Sequence, residues 1–187
     1  MIEAELKAQV RDPGQLRNRL GDLAVGESST YRDTYYDWPG RQLSKGGGRE
    51  LRLRLRLVVT ASRQRSLLTY KDPAADSASG SKPEHETELA DPTVIDVTLR
   101  ALGLVPFVAF EKHCTNYRFA AQGRDVLATV VQVPELDGTF LEVETMATED
   151  SMAAALADVR AVLRQLGIAE DDLTTEQYTE AVLKARE

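Results

Sequence analysis

Strand follows strand along this chain with few helices between, and the expected fold class is α+β with mainly antiparallel strands. Three features carry that expectation. Apolar and charged residues alternate with period two in stretch after stretch, among them Ile2–Val10 and Leu51–Leu57. Helix starts are sparse, and the two Asp-Pro signals, Asp12-Pro13 and Asp91-Pro92, each come directly after such a stretch. No regular β-α-β alternation appears, which argues against a doubly wound parallel sheet.

The elements can be taken in order. IEAELKAQV places Ile2, Ala4, Leu6, Ala8 and Val10 on one face and Glu3, Glu5, Lys7 and Gln9 on the other, a strand pattern that would leave a helix without an apolar stripe. Asp12-Pro13 reads as an N-cap with proline at the first helical position, and Leu16, Leu20 and Leu23 carry that helix to about residue 23. A strand is expected around Tyr31–Asp37, stopped at Pro39-Gly40. Glycines 46–48 predict a hairpin tip into the long strand LRLRLRLVV, followed by the strand LLTYK at 67–71. The composition of 72–84 predicts a loop, after which HETELA resumes a strand. Asp91-Pro92 starts a helix running to Leu102, with Gly103 as its stop. Strands are expected at about 106–110, 115–120, 126–133 and 139–144. Helices are expected over 150–166, where Met152, Leu156, Val159, Leu163 and Leu166 form a core-facing stripe, and over about 175–184. Glu-x-Glu strands leading into Asp-Pro occur twice, an echo too short to define a repeat.

The 187 residues suit a single domain, with strands over about 1–144 and C-terminal helices over about 150–184. MIEAELK is charged by its third residue and no long apolar run follows, so neither a signal peptide nor a membrane span is expected, and a cytoplasmic protein is. One cysteine, Cys114, excludes an intrachain disulfide framework and a multi-cysteine zinc cage. The net charge of −7 argues against a general nucleic-acid surface, although Arg49, Arg52, Arg54 and Arg56 form a local basic cluster.

The charged faces are the unusual feature. Arg52, Arg54 and Arg56 share a face, as do Thr69 and Lys71, Glu86 and Glu88, and Glu142 and Glu144 with Phe140. If the strands close into a barrel with leucine and valine outward, these ions line its interior. Buried ions of both signs require water, partners or ligands. A polyphosphate with a divalent cation satisfies both, because carboxylates suit Mg²⁺ or Mn²⁺ while arginine and lysine suit phosphate oxygens. Taken singly, each stretch reads more readily as a half-exposed strand; the set points to phosphoryl chemistry.

In this order the residues resemble the CYTH superfamily of triphosphate tunnel metalloenzymes, which includes class IV adenylyl cyclases and thiamine triphosphatases. The matching stretches are Glu3-x-Glu5-x-Lys7, DTYYD, Leu51-Arg-x-Arg54, Thr69-Tyr-Lys71, Glu86-x-Glu88, Lys112 and Phe140-x-Glu142-x-Glu144. The resemblance implies a closed eight-stranded antiparallel barrel with helices packed outside. It implies metal carboxylates at Glu3, Glu5, Glu142 and Glu144, assisted by Glu86 and Glu88 as ligands or as partners that orient the basic residues, holding Mg²⁺ or Mn²⁺ at two sites. It also implies a triphosphate cradle of Lys7, Arg52, Arg54, Lys71 and Lys112, with Lys82 on a loop near the mouth and Arg56 in support. Lys7, Arg52 and Arg54 take the catalytic part. The chain departs from the pattern in three places: Cys114 and His85 stand where arginines are usual, and Ala128-Thr129 replaces a Leu-Asp pair.

Cys114 reads as an inert buried thiol, since His113 beside it in a strand points to the other face. Trp38 reads as packing at the Pro39-Gly40 turn. The expected function is a metal-dependent enzyme that hydrolyses a nucleoside triphosphate or inorganic triphosphate. The alternatives are a class IV-type adenylyl cyclase making cyclic AMP and pyrophosphate from ATP, and a polyphosphate- or nucleotide-binding module without catalysis. The partner expected is ATP, inorganic triphosphate or thiamine triphosphate, with no nucleic acid and no membrane; a homodimer is left open.

Overall fold

The computed structural model describes residues 2–43, 52–74 and 79–187. Eight antiparallel strands are laid down as β1 (Ile2–Gln9), β2 (Glu27–Asp37), β3 (Leu53–Thr60), β4 (Gln64–Lys71), β5 (Lys82–Leu89), β6 (Val105–Ala121), β7 (Arg124–Gln132) and β8 (Phe140–Ala147). They close into a barrel in the order β1-β5-β4-β3-β2-β6-β7-β8. Two meanders, β2 to β5 and β6 to β8, are joined by the β2–β6 pairing, and β1 lies between their free edges.

Four helices complete the chain: α1 (Pro13–Gly21), α2 (Pro92–Ala101), α3 (Met152–Gln165) and α4 (Tyr178–Ala185). The two Asp-Pro starts work as expected. Asp12 accepts from the Gln15 N–H and Asp91 from the Thr93 N–H, each with proline just inside the helix. Gly103 and Gly167, at φ 88° and 82°, reverse the chain after α2 and α3, a conformation glycine adopts without penalty.

The apolar faces of the strands point outward, and the helices cover them. Ala4, Leu6, Leu141 and Val143 pack with Ala128 and Val130 beneath Leu16 and Leu20 of α1 and Ala155, Val159 and Leu163 of α3. On the other side Leu53, Leu55 and Leu68 meet Ile95 and Leu99 of α2. At one end of the barrel Tyr178 and Val182 of α4 close over Phe110, Val131 and Val133, with Phe140 against them. No helix among the described residues is long and apolar enough to cross a membrane.

Several boundaries differ from those expected. The strands expected at 106–110 and 115–120 are one 17-residue strand, β6, because its polar middle alternates between two environments rather than forming a break. β2 begins at Glu27 instead of Tyr31. β5 begins at Lys82, so Lys82 and Glu84 belong to the barrel rather than to a loop; Lys82 lies opposite Glu3. α4 begins at Tyr178, and residues 174–177 reach the barrel as irregular chain, with the Thr174 N–H bonded to the Lys7 carbonyl. The hairpin expected at glycines 46–48 lies outside the described residues.

Candidate active site

Pairing of β1 with β8 sets Glu5 directly opposite Glu144 and Lys7 opposite Glu142. Like charges facing across a ladder are unfavourable unless something binds them. Glu3 joins the first pair, and one carboxylate oxygen from each of Glu3, Glu5 and Glu144 falls within 4.8 Å of the others. Their acidities record the crowding. Burial, then Glu84, pushes Glu3 up to about 7. Burial, then Glu142, raises Glu5. Burial, then Glu3 and Glu5, holds Glu144 well above the usual carboxylate range. Ser81 braces this side, its hydroxyl accepting from the Glu5 N–H at 3.1 Å.

Around the trio lies a cavity of about 280 Å³ lined by eight basic and six acidic side chains, an excess of cations that favours an anionic ligand. Several cations are aimed by neighbours. Nη2 of Arg54 donates to Thr69 at 3.0 Å and approaches Glu86 at 3.5 Å and Glu84 at 3.7 Å. Lys71 pairs with Glu84. Lys112 stands 3.7 Å from Glu142. Lys7 donates to the Glu176 carbonyl, and the Tyr178 ring lies 4.4 Å from its ammonium and 4.8 Å from that of Lys112. Burial, only partly offset by Glu142 and Glu5, lowers the pKa of Lys7; burial likewise lowers that of Lys82.

Sequence comparison decides the family. The profile of the CYTH domain matches residues 1–178. The chain belongs to the CYTH domain family. No curated protein matches the sequence. Among solved structures, the PH1819 protein of Pyrococcus horikoshii OT3 superposes with a TM-score of 0.81 at 26% identity, over 97% of this chain and 98% of that one. A protein of Vibrio parahaemolyticus provisionally named adenylate cyclase gives 0.78 at 22% identity, over 98% of each. HpAC1 of Hippeastrum, a provisionally named adenylyl cyclase described as having a dominant triphosphatase activity, gives 0.62 at 16% identity, over 98% and 96%. The latter two likenesses show the fold.

Within this CYTH barrel the residues singled out in the sequence occupy distinct places. Glu3, Glu5, Glu144, Glu142, Lys7, Arg54, Arg56, Lys71, Lys82 and Lys112 all line the one cavity. Arg52 is buried but does not line it, and its Nε has no partner among the described residues. Arg56 is fastened by Asp33, which accepts two bonds at 2.6 and 2.7 Å, with the Tyr31 ring 4.5 Å from the guanidinium. Glu86 also lines the cavity, where it reaches Thr69 and Arg54, while Glu88 pairs with Arg63 on the surface; neither belongs to the carboxylate trio. Cys114 packs with Tyr35, Phe110 and Val131, and burial pushes its thiol up to about 11. His113 points outward to Glu111, and His85 to Asp72. Thr129, where the family has aspartate, donates to Asn116, which in turn donates to Ser29. Sequence reasoning missed Glu84 and Tyr178, and it singled out DTYYD without giving Asp33 a role. The signal for Glu84 was present, since the alternation of Glu86 and Glu88 extends back through Glu84 to Lys82.

Proposed function

We propose that this CYTH protein is a metal-dependent enzyme that binds a nucleoside triphosphate or inorganic triphosphate inside its barrel and hydrolyses it. The observation that carries the reading is the juxtaposition, within one cavity of the closed barrel, of three mutually repelling carboxylates and a surplus of lysine and arginine. The donor set fits a hard divalent cation: three carboxylates whose pKa values are raised by burial and by neighbouring glutamates, an effect that Lys71, Arg54 and Lys7 only partly offset at Glu3 and Glu5. Glu3, Glu5 and Glu144 would hold Mg²⁺ or Mn²⁺. When bound, such an ion neutralises phosphate oxygens and acidifies water. A second ion would draw on Glu142 or Glu84, both already engaged with lysines.

The chain's own residues do the rest. Arg54 offers a planar donor fork whose direction is set by Thr69 and Glu86. Lys112, Lys82 and Lys7 add point charges in a setting where burial strengthens each attraction. Thr174, Thr175, Gln177 and Tyr178 line the α4 end, so the phosphates would enter from the opposite mouth and lie with the terminal group deepest. Positioning and charge neutralisation make up most of what phosphoryl transfer requires of a protein.

Phosphate release from ATP and inorganic triphosphate with Mg²⁺ or Mn²⁺ tests the reading. Glu144→Gln is expected to lower turnover at least about a hundredfold while leaving the circular dichroism spectrum intact. Full activity in that variant would remove the trio from the mechanism. Cyclic AMP with pyrophosphate, in place of phosphate, would replace hydrolysis by cyclisation in the same cage.

A further inference from the structure

The cavity is not uniformly charged. Following each strand away from α4, the inward positions change character. Arg56 gives way to Val58 on β3, Thr69 to Leu67 on β4, and Thr129 to Leu127 on β7, and all three of these apolar side chains line the cavity. Beyond them stand Arg65, opposite Val58, and Arg118, opposite Leu127. Neither arginine has a side-chain hydrogen bond or ion pair among the described residues, whereas Arg54 and Arg56 are both held by carboxylates. A second cavity of about 500 Å³ opens at this end. It shares Arg118, Leu127 and Glu144 with the tunnel and is walled by Phe119 and Met146, the latter 47% exposed.

We infer that Val58, Leu67 and Leu127, with Arg65 and Arg118, form a collar that selects a nucleoside triphosphate, taking the base between apolar side chains and the two guanidinium groups. The inference rests on the proposed triphosphate site and adds the identity of what is attached to the phosphates. Inorganic triphosphate carries charge at both ends and gains nothing from an apolar collar, which would strip water from it. An organic substituent gains from that collar. Arginine stacks on neutral heteroaromatic rings and donates to their acceptor atoms. Two unpaired guanidinium groups disfavour a substituent bearing a permanent positive charge, such as the thiazolium of thiamine triphosphate.

The test is steady-state kinetics with ATP, GTP, inorganic triphosphate and thiamine triphosphate in the presence of Mn²⁺, on the native chain and on Leu127→Asn and Arg118→Ala. Thermal shifts with the same ligands, using non-hydrolysable nucleotide analogues, are measured alongside. The native protein is expected to favour a nucleoside triphosphate over the other two by at least about tenfold in kcat/KM. Each variant should shrink that ratio about tenfold. A preference for inorganic or thiamine triphosphate, or a ratio unmoved in both variants, overturns the collar and leaves the triphosphate site standing. If there is no turnover, a larger thermal shift with the nucleotide analogue than with inorganic triphosphate supports the collar, and the reverse order overturns it. Neither turnover nor any shift with all four ligands overturns the site itself, and the collar with it.

Discussion

Asp33 shows how one side chain can shape a cavity that it does not line. It is 1% exposed and directly opposite Arg56 in the β2–β3 ladder. Burial works against its charge, but the two-pronged contact with Arg56 prevails and holds its carboxyl far below the usual range. A carboxyl depressed in the folded state contributes stability at pH values above its unfolded pKa of about 3.9 and loses it as the pH falls below that. Asp33→Asn is expected to cost about 3–5 kcal/mol in urea unfolding near neutral pH, because it strands a buried guanidinium. An unchanged midpoint would mean that Arg56 finds another partner. DTYYD marked this region in the sequence, but nothing there told an aspartate facing arginine from one facing water. Glu84 was hidden differently: it sits in SGSKPE, whose composition is that of a loop, and only continuation of the Glu86–Glu88 alternation could have revealed it.

At the level of elements, legibility followed the apolar face. β1, β3 and β8 show clean alternation because their outward residues are aliphatic and lie under helices or against the core. β6 does not. Its middle reads Glu111-Lys112-His113-Cys114-Thr115-Asn116, with Glu111 and His113 on the outer face and Lys112, Cys114 and Asn116 inside a polar barrel. Where both faces carry polar residues, period-two hydrophobicity vanishes although the strand continues. The same inversion explains how the site could be read at all, since charges placed on alternate residues in the sequence converge only if the sheet closes. α3 is the element that holds the closed sheet on its β1 and β8 side. Leu163, 2% exposed in the cluster that covers those strands, is expected to cost about 2–5 kcal/mol when changed to alanine. Turnover per folded molecule should stay close to native, which activity measured below the unfolding transition would check.

For the molecule as a whole, the carboxylate trio couples stability to pH and, through the proposed cation, to metal. Glu3 has an ordinary pKa of 4.5 and stands at about 7 in the fold, with Glu5 and Glu144 raised beside it. Between those values the folded protein binds more protons than the unfolded chain, so stability declines as the pH rises through that window. In chelator the melting temperature should therefore be lower at about pH 7.5 than at about pH 5.5, and Mg²⁺ or Mn²⁺ should raise it more at the higher pH, where protons compete less. A scan with and without chelator measures both; no response to either cation at about pH 7.5 would count against the trio as a metal site.

The place of β1 in the barrel carries a consequence for how the molecule comes into being. The first strand made has no partner among its neighbours in sequence; it pairs with β5 at Ile2 and Glu3 and along its whole length with β8, which begins at Phe140. The two meanders can assemble from nearby segments, whereas β1 must wait for a loop closure spanning most of the chain, the slow kind of step in folding. Two of the three carboxylates of the trio, Glu3 and Glu5, ride on that strand. The cavity is thus expected to be completed late in folding, and a partly folded chain would display the meanders while lacking the carboxylate trio.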